Sequence, residues 1–323
     1  MLRPGDIFQN SYAIERELGQ GAFAVVYLAR EQGLGRLVAI KVLKEGRSND
    51  RFFREAKLLS ELRSPHTVTL IDVGRAGAED QPFMVFEYVP GETLEDRLAR
   101  VGPMPGGRVA HIIRQVLSSL AEAHKRGIVH RDVKPANIMM TSRDGDEDFV
   151  KVLDFGVAKP LDDVRDVSVE LTIAGQIIGT MRYMAPEQLR GERKAVPASD
   201  VYAVGLIAYE LLTNEKAAVG DDAHIVLAQH LSTEPFVLSE GLDLPLPFRR
   251  VFESMMSKDT ATRPRDAAEA LRSLVGIDDD TTTYDKRINL DEIDPQRQSG
   301  GFPAPERQRQ PSGFAAHPAD QSL

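Results

Sequence analysis

Apolar residues recur along this chain with two different periods, and the change of period divides it. Before about residue 90 the apolar runs are short. Those at 12–18, 38–43, 68–73 and 82–86 read as strands. In the second of these, Ala39 and Lys41 face one side while Val38, Ile40 and Val42 face the other. One stretch breaks this series. Residues 51–62 are amphipathic at helical period, with Glu55 and Leu59 four apart on one face. Beyond residue 90 the helical period dominates. Val109, Ile112, Ile113, Val116, Leu117, Leu120 and Ala121 predict a helix over 108–127, and Gly127 sits at its stop. Helices are also predicted from Thr93 to Arg100 and over 221–231, 247–256 and 264–275. The apolar run 201–213, too short to span a bilayer and holding Glu210, reads as a buried core helix. Two short strands, 138–140 and 150–153, interrupt the helices. The pattern predicts an α+β chain: a small β-rich part with one key helix, then a larger, mainly helical part.

The polar residues between the long helix and those two strands carry the candidate chemistry. His130-Arg131-Asp132-Val133-Lys134-Pro135-Ala136-Asn137 places acid, base, lysine and amide in one short loop. The second strand ends in Asp154-Phe155-Gly156, so two Asp and one Asn converge from the two ends of one hairpin. Such a set suits a divalent metal beside a polyphosphate, with a hydroxyl held in line. As mere architecture it would be a buried charge cluster without a ligand, which is costly.

These residues resemble the catalytic and magnesium loops of protein kinases. With Lys134 two residues after Asp132, they look like the serine/threonine branch and are most similar to bacterial kinases of eukaryotic type. The resemblance covers roughly 12–275 and implies a bilobal fold, with an N-lobe at about 12–86, a hinge at 87–91 and a C-lobe at 92–275. Residues 1–11 are expected to be a short leader.

The resemblance also implies roles. Asp132 orients the substrate hydroxyl, Lys134 neutralises the transferring phosphoryl group, and Asn137 and Asp154 hold magnesium, with manganese as an alternative. ATP would lie under Gly19-Gln20-Gly21-Ala22-Phe23-Ala24, whose two glycines allow a tight turn toward phosphate; Ala24 stands where the family has a third glycine. By itself this stretch is an ordinary hairpin as readily as a flap. Leu18, Val26, Ala39 and Met139 would enclose adenine, and backbone groups of Glu87 and Val89 would bond it, with Phe86 closing the pocket behind. Lys41 would reach the α- and β-phosphates and pair with Glu55. Residue by residue, Glu61 is the rival acid, and Lys41 could be a solubility lysine, but an apolar run has no other reason to hold one charge.

Residues 157–185 are long, polar and poorly periodic, and look like an activation segment. Thr172 is expected to be phosphorylated by another copy of the chain, Ser168 being the alternative, with Arg131 as receptor for the phosphate. Thr180 is expected to bind Asp132 and Lys134 instead, which also points to Ser/Thr substrates. Glu187 is expected to pair with Arg263, and Asp200 to anchor the catalytic-loop backbone, although a helix N-terminal acid is favourable in any case.

Composition narrows the classes. A net charge of −9 argues against a dedicated nucleic-acid binder, which needs a surplus of cations. With 0 Cys there is no disulfide, thiolate metal site or cysteine nucleophile, as a reducing cytoplasm allows. No signal-peptide core opens the sequence. After Gly276 the chain turns acidic and then Pro- and Gln-rich, a composition that cannot bury enough surface to fold alone; Thr281–Thr283 could dock a phosphothreonine reader or do nothing. Two rivals to a protein kinase remain. A small-molecule phosphotransferase would lack Ala185-Pro186-Glu187 and the His130-Arg131 pair. A pseudokinase scaffold would have lost Lys41, Glu55, Asp132, Asn137 or Asp154, and all five are present.

Overall fold

The computed structural model describes residues 2–21, 24–44, 49–77, 80–155, 174–191 and 195–275, without the side chains of 49–51, 55 and 174–177. Its first part is a six-stranded antiparallel sheet. In chain order the strands are β1 (Ile7–Phe8), β2 (Tyr12–Gln20), β3 (Ala24–Glu31), β4 (Leu37–Leu43), β5 (Leu70–Ala76) and β6 (Gln81–Glu87), arranged β1-β2-β3-β4-β6-β5. Alternation along β4 decides what each face does. Val38 and Ile40 are fully buried among Phe8, Tyr27 and Val85, whereas Ala39 and Lys41 turn to the other face and stay partly exposed. Helix α1 (Asn49–Ser60) crosses that sheet, packing Phe52 and Ala56 on Leu43 and Met84.

The stretch expected as a leader belongs to this sheet. Ile7 and Phe8 pair with Ala13 and Tyr12, and the Phe8 ring meets Phe83 edge-on at 4.9 Å. A two-residue strand carries no period of its own, so only the burial of Phe8 reveals it.

A short strand, β7 (Glu92–Thr93), and helix α2 (Leu94–Val101) open the helical part. Thr93 caps α2 in a reciprocal box with Asp96. Gly91 just before them is obligatory. Its φ is +136°, and a Cβ there would lie 2.0 Å from the Met140 carbonyl oxygen. The centre of this part is α3 (Gly106–Lys125), where Val109, Ile112, Ile113, Val116, Leu117 and Leu120 are all fully buried. Each contributes about 2 kcal/mol by leaving water. It packs on α6 (Pro197–Thr213), on α9 (Ala267–Val275), and on the hairpin of β8 (Ile138–Arg143) and β9 (Asp146–Val152). The remaining helices are α4 (Ala174–Met181), α5 (Pro186–Leu189), α7 (Ala223–Leu231) and α8 (Leu246–Met255).

Helix α4 lies inside the stretch expected to be aperiodic. Ile178 and Met181 dock on Ala223 and Val226 of α7, so tertiary packing supplies what local periodicity does not show. Among the described residues no helix is long and apolar enough to cross a membrane.

Candidate active site

The loop from α3 to β8 carries Asp132, and its backbone is pinned by one buried carboxylate. Asp200, 2% exposed in the first turn of α6, accepts from the amides of His130 at 2.7 Å and Arg131 at 2.9 Å. A third bond comes from His124 Nε2 at 2.9 Å. The Ala267 amide donates to His124 Nδ1 at 3.2 Å, so the His124 proton sits on Nε2, facing Asp200. Three N–H groups on one buried carboxylate make a strong anchor. They hold Arg131 at φ +67°, a left-handed conformation that a non-glycine residue keeps only when its surroundings fix it.

His130 extends the scaffold toward the second strand. Its Nε2 meets the Leu153 carbonyl at 2.7 Å, and the Asp132 amide donates to its Nδ1 at 3.3 Å. Burial pushes the imidazole below its ordinary range, so the ring stays neutral and bridges the two loops. Its face packs on the Phe155 ring, with centroids 4.6 Å apart.

The polar side chains above this scaffold come together. Asn137 Nδ2 donates to the Asp132 carbonyl at 2.8 Å and to Asp132 Oδ2 at 3.2 Å. Lys134 Nζ lies 3.2 Å from that same carboxylate oxygen and 3.1 Å from Thr180 Oγ1. The Leu153 amide donates to the Asn137 carbonyl at 2.9 Å, which ties this loop to the end of β9. One residue on, Asp154 turns at φ +52° and accepts from Lys41 Nζ at 2.7 Å. Desolvation works against its charge, but the Lys41 ammonium outweighs that and holds the carboxyl below its usual range. Lys41 thus reaches across from the sheet to the hairpin.

The oxygen donors fit a hard divalent cation. Asp154 offers a carboxylate, and Asn137, whose Nδ2 is committed to Asp132, offers its amide oxygen. A divalent cation held together with substrate phosphates needs few protein oxygens.

A cavity beside Lys41 is lined by Phe52, Leu59, Met84, Phe86 and Phe155. Phe86 is therefore at its wall, where a gate behind adenine would stand. Val26, Ala39 and Met139 are partly exposed among buried strand neighbours, Val89 is partly exposed in the connection after β6, and Leu18, Gly19 and Gly21 are exposed. Val26 opposes Lys41 in register and Ala39 opposes Phe86. The Glu87 amide donates to the Thr69 carbonyl at 3.0 Å, so this edge could offer adenine the Glu87 carbonyl but not its N–H. The side chain of Glu55 lies outside the described residues, as do Ser168 and Thr172. Glu61, the rival acid for Lys41, follows the end of α1 and meets Arg126 at 3.2 Å. Arg131 and Thr180 line a second small cavity with Asp132, Tyr183 and Gln188.

The expected C-lobe pair is present: Arg263 donates to both Glu187 oxygens, at 2.9 and 3.0 Å. Three contributors were missed from sequence. His124 is a single histidine at a helix end and gives no signal. Lys216 bonds both Tyr183 Oη at 2.7 Å and Glu210 Oε1 at 2.5 Å, and Tyr183 donates to Glu210; Glu210 inside an apolar run was the clue. Lys151, one charge in the apolar run 149–153, gave the same clue as Lys41.

A model of the protein kinase domain matches residues 12–274. The chain belongs to the protein kinase family. It is 37% identical over 289 residues to the serine/threonine-protein kinase pkn3 of Myxococcus xanthus, covering 87% of this chain and 52% of that protein. It is 39% identical over 277 residues to the serine/threonine-protein kinase PknB of Mycobacterium tuberculosis, covering 82% of this chain and 42% of that one. The chain thus spans about half the length of the curated relatives it matches. The solved kinase domain of Mycobacterium tuberculosis PknI superposes with a TM-score of 0.64 at 26% identity, over 85% of this chain and 99% of that domain. The curled sheet and helical lobe are those of the protein kinase fold.

Proposed function

We propose that this protein kinase transfers the terminal phosphoryl group of MgATP to serine and threonine hydroxyls of proteins. The observation that carries the reading is the cluster of Asp132, Lys134, Asn137 and Thr180, joined through Leu153 to the Lys41–Asp154 pair. Asp132 is held so that Oδ2 faces Lys134 and Asn137, in reach of a hydroxyl entering beside Thr180. It accepts the hydroxyl proton as the oxygen attacks phosphorus. Lys134 then meets the growing charge on the transferring group. Lys41 is placed to leave Asp154 for the phosphates when nucleotide enters. Magnesium, bound by Asn137 and Asp154, would neutralise phosphate charge. Thr180 takes one bond of Lys134, the arrangement expected for Ser and Thr rather than Tyr substrates. Phosphorylation of Thr172 or Ser168 by a second copy, with Arg131 as receptor, completes the reading. So does action in the cytoplasm, where ATP is supplied.

Labelled γ-phosphate transfer to a generic protein such as myelin basic protein tests it. Asp132→Asn lowers kcat about 10³-fold with an unchanged melting temperature. Equal transfer by wild type and Asp132→Asn would refute the assignment. Mass spectrometry after incubation with MgATP tests the regulatory part, which fails if active enzyme carries no phosphate within 165–175.

A further inference from the structure

Lys151 is a buried lysine in the apolar second half of a strand. It is 8% exposed on β9, between Val150 and Val152, both fully buried. Its ammonium donates to Glu87 Oε1 at 2.6 Å and to the Thr67 carbonyl at 3.2 Å. The same Glu87 oxygen accepts the Thr69 amide at 2.8 Å and the Thr69 hydroxyl at 2.9 Å. Glu87 is the last residue of β6, where the sheet hands over to the connection between lobes. Its side chain and its amide are thus both fixed, one by Lys151 and Thr69, the other by Thr69 alone.

Lys151 also has a place in the floor of the cleft. It stands directly across the β8–β9 ladder from Met139, the residue expected beneath adenine. Three residues later the chain reaches Asp154. The strand is braced against the 66–69 segment as well: the Val68 amide donates to the Val152 carbonyl at 3.0 Å, and the Val152 amide to the His66 carbonyl at 2.8 Å. One cation therefore joins the hinge edge, the floor and the strand that leads to the metal-side acid.

Solubility does not account for it, since the ammonium is inside. Stability accounts for it poorly, because the Glu87 side chain is 33% exposed and an ion pair with a partly solvated member contributes little. What such a pair does supply is a fixed relation between two elements. Glu87 belongs to the sheet and Lys151 to the hairpin of the other lobe. We propose that Lys151 is a positioning residue for the nucleotide, setting the Glu87 hinge edge at a fixed height over the Met139 floor so that adenine enters a preformed slot. This rests on the reading of the cleft as an ATP site. Lys151 acts through Glu87, whereas Lys41 acts on the phosphates.

The test uses the full chain and the variants Lys151→Met, Lys151→Arg, Glu87→Gln and Glu87→Gln/Lys151→Met. Two quantities are followed: KM for MgATP and for a peptide substrate, and the Kd of ADP by calorimetry. Lys151→Met raises the nucleotide KM and Kd about tenfold, while the peptide KM stays as in wild type. Lys151→Arg, which keeps the cation, recovers most of the loss. The double variant is no worse than Lys151→Met, because both changes cut one linkage. A folded Lys151→Met chain with wild-type nucleotide KM and Kd overturns the proposal, even if its melting temperature has dropped, since Lys151 would then be a structural contact only. Should Lys151→Met fail to fold, Glu87→Gln carries the test: it must raise nucleotide KM and Kd and leave peptide KM alone, and an unchanged nucleotide KM overturns the proposal. If wild type binds ADP but transfers phosphate to no protein, the kinase reading fails while calorimetry still decides on Lys151. If wild type binds no nucleotide, both fall together.

Discussion

Two carboxylate–cation pairs in this molecule share their chemistry and differ in access. Glu187 and Arg263 make two bonds, at 2.9 and 3.0 Å, with side chains 8% and 0% exposed. Lys41 and Asp154 make one, at 2.7 Å, with side chains 22% and 42% exposed. The first pair is closed from every direction. Ser199 donates to Glu187 at 2.8 Å, Arg263 also holds the carbonyls of Ala198 and Ser257, and its guanidinium lies over the Tyr202 ring. No ligand can enter that arrangement, and every partner is spoken for. The second pair stands at the mouth of a cleft, where water, metal or phosphate can take either partner away. A satisfied, sealed ion pair builds the lobe, whereas a half-open one is a resting contact between groups with other work to do.

The sharpest way to break this contrast is to open the sealed pair. Arg263→Met leaves Glu187 charged and buried and removes the guanidinium's bonds to the carbonyls of Ala198, Ser257 and Lys258. Removing one partner of such a pair costs about 3–5 kcal/mol. Urea unfolding should show that loss, with kcat in the surviving folded fraction reduced far less than by Asp132→Asn. If the midpoint barely moved, the sealed pair would not be the structural member of the comparison.

A second sealed group sharpens it through pH. His230 is fully buried on α7, with Tyr202 Oη 2.9 Å from its Nδ1. Burial pushes this imidazole down to about 3, from an ordinary 6.5. Its folded value is depressed, so the neutral ring favours the native state above pH 6.5. Below that the unfolded chain takes up a proton that the native state refuses. Stability is therefore lost as pH falls from 6.5 toward 3, by about 1.4 kcal/mol per pH unit for one proton. His66 and His130, which burial also holds below the usual range, add to the wild-type slope. His230→Phe should flatten urea stability between pH 6 and 4 by about one proton's worth. An unchanged slope would mean that His230 is not sealed.

The same contrast explains what could be read from residues alone. Asp132, Lys134, Asn137 and Asp154 stand within 25 positions on one loop and one hairpin, so local spacing already brings them together. Glu187, Arg263 and Asp200 were placed through the family pattern, and their contacts agree with it. Sealed contributors without such a pattern stayed invisible. His124 supports Asp200 from a helix end, and its partners are fixed only when α3, α6 and α9 pack. Lys151 carried the same signal as Lys41, but no motif pointed to Glu87 as its acceptor. The Ile7–Phe8 strand is too short to have a period, and α4 is specified by α7 rather than by its own sequence.

The smallest expected effect on stability is also the one that decides the comparison from its open side. Lys41→Met removes the bond between the sheet's cleft-facing lysine and the β9 end, and leaves Asp154 partly in water. A partly exposed ion pair is worth about 0–1 kcal/mol, and Asp154 can rehydrate once Lys41 is gone. The melting temperature should therefore hold within the range of surface substitutions. Phosphate transfer should fall about 10²- to 10³-fold, as when one preorganised cation or donor is removed from a reacting phosphate or oxyanion. Thermal unfolding and labelled-phosphate transfer on the same preparation give both numbers. A stability loss as large as that of Arg263→Met would show that Lys41 and Asp154 form a second structural clamp. Unchanged stability with silent chemistry would show that their contact exists to be exchanged for substrate.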